Sequence, residues 1–188
     1  IFDGGNNGSP GGAVYFNINV EDNDLTFTGM DLNLSDPGTT FDLSVYILEG
    51  TYEGNETNAA LWGTPVATGS GTSAGPGGAS HTDLDNTFVL NANTTYGIAL
   101  VTANHSHYYT NGNGSNQHYS NDDLSLDLGS ATNVPFTPSV FTPRVFNGTL
   151  YYTKDGGTTN EDCDQGDDSN GFENGYNITQ GGTFRNAD

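Results

Sequence analysis

The sequence predicts an all-β protein, an antiparallel β-sandwich or jelly roll with an extended C-terminal tail. Three observations lead there. Aromatic residues reach 11% although hydrophobic residues together make up only 32%, a mixture that suits short aromatic strands and that a disordered chain would lack. Glycine fills 27 of 188 positions and clusters with Asn, Asp and Pro between apolar runs, which is turn chemistry. The apolar runs are short or alternate with a period of two, and none has the 3.6-residue period of an amphipathic helix. The length suits one domain with a full core, or one domain and a short appendage.

In chain order, residues 3–12 (DGGNNGSPGG) read as a flexible lead-in or exposed loop. AVYFNINV at 13–20 reads as a strand with Phe16, Ile18 and Val20 on one face. After the acidic turn 21–24, LTFTGMDLNL at 25–34 alternates, and Gly29 marks a bulge where the phase shifts. Ser35-Asp36-Pro37-Gly38 is a turn, and FDLSVYIL at 41–48 is the next strand. Residues 66–69 suggest a short edge strand, and 69–80, rich in Gly and Ser, a loop. NTFVL at 86–90 and TYGIALV at 95–101 are strands, the second strongly buried. Residues 104–123 are polar and aromatic, and LSLDLG at 124–129 alternates again. In FTPSVFTPRVFNGTLYYT (136–153), the dipeptide Asn147-Gly148 suggests a hairpin or a bulged strand that closes the sheet. Eight to ten strands at this spacing make a sandwich. The domain is expected to span 1–153. Residues 154–188, almost without aliphatics, read as an acidic Gly/Asn-rich linker or the start of a following module.

The formal charge is −20, with 23 acidic residues against three cationic ones, Arg144, Lys154 and Arg185. Such a field repels nucleic-acid phosphates and anionic membranes. No apolar run has the length to span a membrane, so membrane insertion is not expected. The single cysteine, Cys163, allows no intrachain disulfide, which fits an exported bacterial protein better than a eukaryotic secreted domain. The start at Ile1-Phe2 suggests a processed form or an excised fragment. Arg144, in so acidic a chain, is expected to pin the last strand to a carboxylate.

The candidate ligand-binding residues are aromatic. Sugar rings stack on Tyr and Trp faces while Asp and Asn bond their hydroxyls. Tyr52 and Trp62 with Glu53 and Glu56 form one candidate platform; Tyr108, Tyr109 and Tyr119 with His118 form another. Tyr96 and Tyr151 are expected to pack in the core instead. Calcium needs six to eight oxygens, and the acidic turns at Asp22, Asp24, Asp122 and Asp123 and the tail residues Asp164, Asp167 and Asp168 are its candidate ligands. The alternative is that these are solvated acidic turns. His105-Ser106-His107 with His118 offers three nitrogens for zinc or copper, against the commoner reading of loop histidines. No Gly-x-Ser-x-Gly elbow, no singled-out carboxylate pair and no phosphate-binding glycine loop points to catalysis.

Several segments, in order, carry a resemblance: the Gly/Asn-rich entry, LTFTGMDLNL, VYILEGTYEGNETNAALW, NTTYGIAL, YSNDDLSLDLG and, most specific, TPRVFNGTLYYT. Together they resemble an accessory β-sandwich module of secreted multidomain bacterial surface proteins, which often bear C-terminal sorting signals. The resemblance covers roughly residues 3–153 and implies a non-catalytic surface domain. CDQGDDSNGFENG looks like a junction between modules, which implies a chain continuing past Asp188. The expectation is therefore a secreted or cell-surface, non-enzymatic module. It would bind carbohydrate or mediate adhesion through a glycan or a neighbouring protein subunit, with calcium as a structural ion. The alternative is a structural spacer or filament subunit with no small ligand.

Overall fold

The computed structural model describes residues 1–3 and 5–155, and the backbone of a further strand at 174–177. Its strands are β1 (Asn6–Asn7), β2 (Ala13–Val20), β3 (Asp24–Leu32), β4 (Thr40–Glu49), β5 (Ala67–Thr72), β6 (Ser80–Leu90), β7 (Thr95–Ala103), β8 (Tyr108–Asn111), β9 (His118–Ser120), β10 (Leu124–Thr132), β11 (Val140–Phe141), β12 (Arg144–Val145), β13 (Gly148–Asp155) and β14 (Asn174–Asn177). One helical turn, α1 (Ala59–Trp62), lies between β4 and β5.

Every ladder between these strands is antiparallel. Hydrogen bonding runs continuously through β11-β10-β2-β7-β4-β5-β6-β3-β13-β14, with β9 on β10, and a small sheet β1-β8-β12 stands beside it. The long sheet curls on itself, so β10-β2-β7-β4 faces β6-β3-β13 across one core. Val14, Phe16 and Ile18 of β2 and Ile98 and Leu100 of β7 meet Leu25, Phe27, Met30, Leu150 and Tyr152 there. Alternation along each strand produces this. Every second residue of β2 points inward, and the intervening Ala13 and Tyr15 join a separate cluster on the outer face.

The turn of the curl is β5, which is an interior strand of the path and not the edge expected at 66–69. A Cβ on Gly71 would stand 2.3 Å from the His81 carbonyl oxygen and 2.9 Å from the Phe41 ring. Only glycine at that position lets β6 pass so close. The Gly/Ser content that suggested a loop is thus a packing requirement of the corner.

Gly29 does mark a bulge, with a register shift between Phe27 and Gly29. The Asn147-Gly148 dipeptide does not turn a hairpin. It joins β12, paired to β8, with β13, paired to β3, and so crosses from one sheet to the other. Asn147 is buried and its amide reaches the carbonyl of Asp3 and the Thr110 hydroxyl. Tyr152, not Tyr151, is the core tyrosine of β13, because Leu150 and Tyr152 share the inward phase; Tyr96 is buried as expected. Strand β13 runs to Asp155, and β14 extends the sheet beyond it.

Arg144 meets no carboxylate among the described residues. Its guanidinium lies 5.6 Å from the Tyr109 ring centre and 5.9 Å from that of Phe141, and it donates to the Pro143 carbonyl at 2.9 Å. The flat, weakly hydrated guanidinium is stacked on rings here. The ion pair that ties the last strand down belongs to Lys154, whose Nζ stands 2.5 Å from Asp123 Oδ1.

Candidate functional site

The outer face of β2, β10 and β7 is covered by the loop that follows β4. Asn17 Nδ2 donates to Thr51 Oγ1 at 3.0 Å, and Asn17 Oδ1 accepts from the Tyr52 amide at 3.0 Å. The loop then packs Trp62 against Tyr15 (ring centres 5.6 Å) and Phe136 (5.6 Å), with Tyr46 edge-on to Phe136 at 5.0 Å. The Trp62 indole donates to the Asn55 carbonyl at 2.9 Å, and Ser130 Oγ donates to Glu56 at 3.1 Å. This is a second, smaller core. Trp62 is 2% exposed, so its ring faces are given to protein neighbours and it is not an open platform.

Beside this lid a hollow of about 250 Å³ opens, lined by Tyr52, Glu53, Gly114, Ser115, Gln117, His118, Asp127 and Leu128. It forms where β9 pairs with β10 and places His118 opposite Asp127, with Asn17 of β2 on the other side of Asp127. His118 Nδ1 lies 2.8 Å from Asp127 Oδ1. A carboxylate accepts only, so this ring nitrogen is the donor and Nε2 is left to face outward. The other oxygen of Asp127 accepts from Asn19 Nδ2 at 2.8 Å. Thr95 Oγ1 in turn donates to Asn19 Oδ1 at 2.7 Å, which fixes the amide. The β8–β9 connection holds itself in shape: Gln117 Oε1 accepts from Gly114 N at 2.9 Å, and Gln117 Nε2 donates to the Leu128 carbonyl at 3.3 Å. Ser115 Oγ donates to Asn113 Oδ1 at 2.8 Å. Burial, followed by the charges of Glu53, Glu56 and Asp127, raises the Tyr52 phenol far above its usual range, so it keeps its proton.

The hollow thus draws Tyr52 and Glu53 from one expected platform and His118 from the other. Tyr109 and Tyr119 are core residues, 4% and 8% exposed, and Tyr108 on β8 is half-buried. Asp127 is the residue that sequence reasoning left out. Its signal was present in LSLDL, where a carboxylate occupies an outward position of an alternating strand.

The acidic turns do gather at one end, since Glu21 N donates to the Asp123 carbonyl at 2.9 Å. Their carboxylates are partly committed. Asp123 is buried between Lys154 and the Tyr152 hydroxyl at 2.9 Å, and Asp24 accepts from the Ala92 amide at 2.7 Å. Asp22 and Asp122 are exposed. Asp164, Asp167 and Asp168 lie outside the described residues. Among the described residues no group of three His, Cys, Asp or Glu side chains is arranged around a metal position. His105 and His107 are buried structural residues, 2% and 4% exposed, and do not join His118. No protein-family model matches the chain, and no curated protein matches it.

Proposed function

We propose that this chain is a non-catalytic, cell-surface or secreted module that binds a neutral carbohydrate in the hollow beneath β9. The observation that carries the reading is the hydrogen-bonded row His118–Asp127–Asn19, anchored at one wall of a small concave site. Acceptors held by neighbours are pre-organised for sugar hydroxyls, and ordering them costs little on binding. The volume, about 250 Å³, lies just under the usual range of small-molecule pockets, so the hollow would hold only part of a glycan. The charge of −20 favours a neutral ligand over an anionic one. The composition and the resemblance to accessory modules of bacterial surface proteins support the location. Calcium stays within the proposal at the end where Asp22 and Asp122 are exposed.

The test is a glycan array probed with the wild-type chain and with Asp127→Asn. Retention of neutral glycans by the wild type, weakened at least tenfold in the variant, supports the reading. Equal retention by both, or silence across the array with calcium present, refutes it.

A further inference from the structure

The long sheet ends at β14. Strand β13 pairs with β3 along its whole length, from Gly148 to Asp155. On its other edge it pairs with β14 from Thr149 to Tyr152 only. The two halves of that edge differ in sequence. Thr153-Lys154-Asp155, beyond β14, carries charges of the kind that protect native edges from stray pairing. Thr149-Leu150-Tyr151-Tyr152 has no charge, no proline and no glycine. Such residues, mostly β-branched or aromatic, make a ready template for another strand. The uncharged half is the half that β14 covers.

The connection between the two strands is long for antiparallel neighbours, which are commonly joined by loops of about two to five residues. Asn174 lies opposite Tyr152, so only about 10 Å of strand separates it from the level of Asp155. Residues 156–173 lie between them in the chain, 18 positions. Fully extended, such a length reaches about 60 Å, against about 40 Å for the width of a domain of this size. The connection therefore does not dictate which copy of the chain supplies the strand. The pairing sets Tyr151 between two glycines, Gly29 of β3 and Gly175 of β14. A slip of one residue would put Asn174 or Tyr176 at that level and reverse the faces of β14.

We propose that the Thr149–Tyr152 edge is a strand-acceptor site whose partner is the 174–177 segment of a second copy of this chain. The segment adds as an antiparallel strand, with main-chain hydrogen bonds for attachment and the glycine level at Tyr151 for register. Reciprocal donation closes a two-fold dimer, and one-way donation leaves an acceptor free and builds a row of copies. The contacts are those of β14 within one copy, so concentration decides between the two. A linker of this length holds its own segment at an effective concentration of about 1 mM, and donation between copies competes when they are crowded to that level. The site is independent of the hollow.

The experiment is a disulfide trap across the register pair Thr149 and Asn177. Residues directly opposite on antiparallel strands have Cα atoms about 4.5–5.5 Å apart, within reach of a disulfide. Two full-length variants, Thr149→Cys and Asn177→Cys, each with Cys163→Ser to remove the single native thiol, are mixed at about 1 mM and oxidised with glutathione disulfide. A 149–177 bond in this mixture joins different copies only. Mass spectrometry is expected to find it at least tenfold in excess over 149–149 and 177–177 bonds, and Gly175→Pro with Tyr176→Pro should abolish the excess. Consecutive amides face opposite edges of a strand, so one of the two prolines removes a bond to β13. Far-ultraviolet circular dichroism checks that each variant keeps the sheet. The chain carrying both Thr149→Cys and Asn177→Cys, oxidised when dilute, reports pairing within a copy. A 149–177 bond in no excess, one found only in the doubly substituted chain, or none in either sample overturns the proposal.

Discussion

His107 makes a prediction whose size follows from its surroundings. The residue is 4% exposed and sits where the chain enters β8, its carbonyl accepting from Gly8 N at 3.1 Å. Its Nε2 is buried and finds no partner among the described residues. Burial, with a smaller push from His105, lowers the imidazole to about 4 from its usual 6.5, against the opposing pull of a backbone hydrogen bond to Leu100. Between these values the unfolded chain binds a proton that the folded chain refuses. Stability from this group is therefore whole above pH 6.5, falls as the pH drops through 6.5, and stops falling near pH 4. The full loss is about 3 kcal/mol, at about 1.4 kcal/mol for each pH unit of displacement. Urea denaturation at half-unit steps from pH 7.5 to 4, on the wild type and on His107→Phe, isolates it, since the carboxylates titrate alike in both. The wild type should lose about 3 kcal/mol more than the variant over that range. Parallel curves for the two proteins would show that His107 is not held neutral by burial and refute the reasoning.

Three further outcomes are expected. Lys154→Met leaves the Asp123 carboxylate buried beside Tyr152 and should cost about 1–3 kcal/mol, reduced from a fully buried pair because Lys154 is partly exposed; Arg144→Ala should cost only about 1 kcal/mol, the value of a ring-stacked guanidinium. Reversal of that order in thermal melts would restore Arg144 as the strand's anchor. Trp62→Ala should cost about 3–5 kcal/mol and erase the near-ultraviolet circular dichroism of the outer cluster while the far-ultraviolet β spectrum persists. Unchanged near-ultraviolet signals would show that the β4–β5 loop is not held by Trp62.

The strands legible from sequence are those whose two faces differ. AVYFNINV (13–20) and LTFTGMDL (25–32) bury one face and expose or separately cover the other, so alternation reveals both phase and extent. The bulge at Gly29 was readable because the phase visibly slips there. The corner strand β5 was not, because its requirement is glycine at the alternate positions 69 and 71, which looks like a loop. Strands β8 and β9 were hidden in a polar stretch whose buried members, His105, Ser106, His107 and Thr110, are satisfied by local partners or held neutral instead of being apolar. An ion pair on the last strand is legible from so acidic a chain, but its cation is Lys154 and not Arg144, because the pairing depends on where the β9–β10 turn brings Asp123. The binding candidates divided for a similar reason. A loop tryptophan reads as exposed, yet the outer face of β2 carries Ala13 and Tyr15, an apolar patch that recruits it. No single segment could reveal the hollow, since its residues come from the β4–α1 loop, the β8–β9 loop, β9 and β10.

A nitrogen–proton correlation NMR titration of the intact chain with a panel of neutral oligosaccharides reads sugar binding at the hollow residue by residue. Saturable shifts are expected at Glu53, Gly114, Ser115, Gln117, His118 and Asp127, all at the hollow, and should be lost in Asp127→Asn. Shifts centred on any other surface, or none with any sugar of the panel, would contradict sugar binding there.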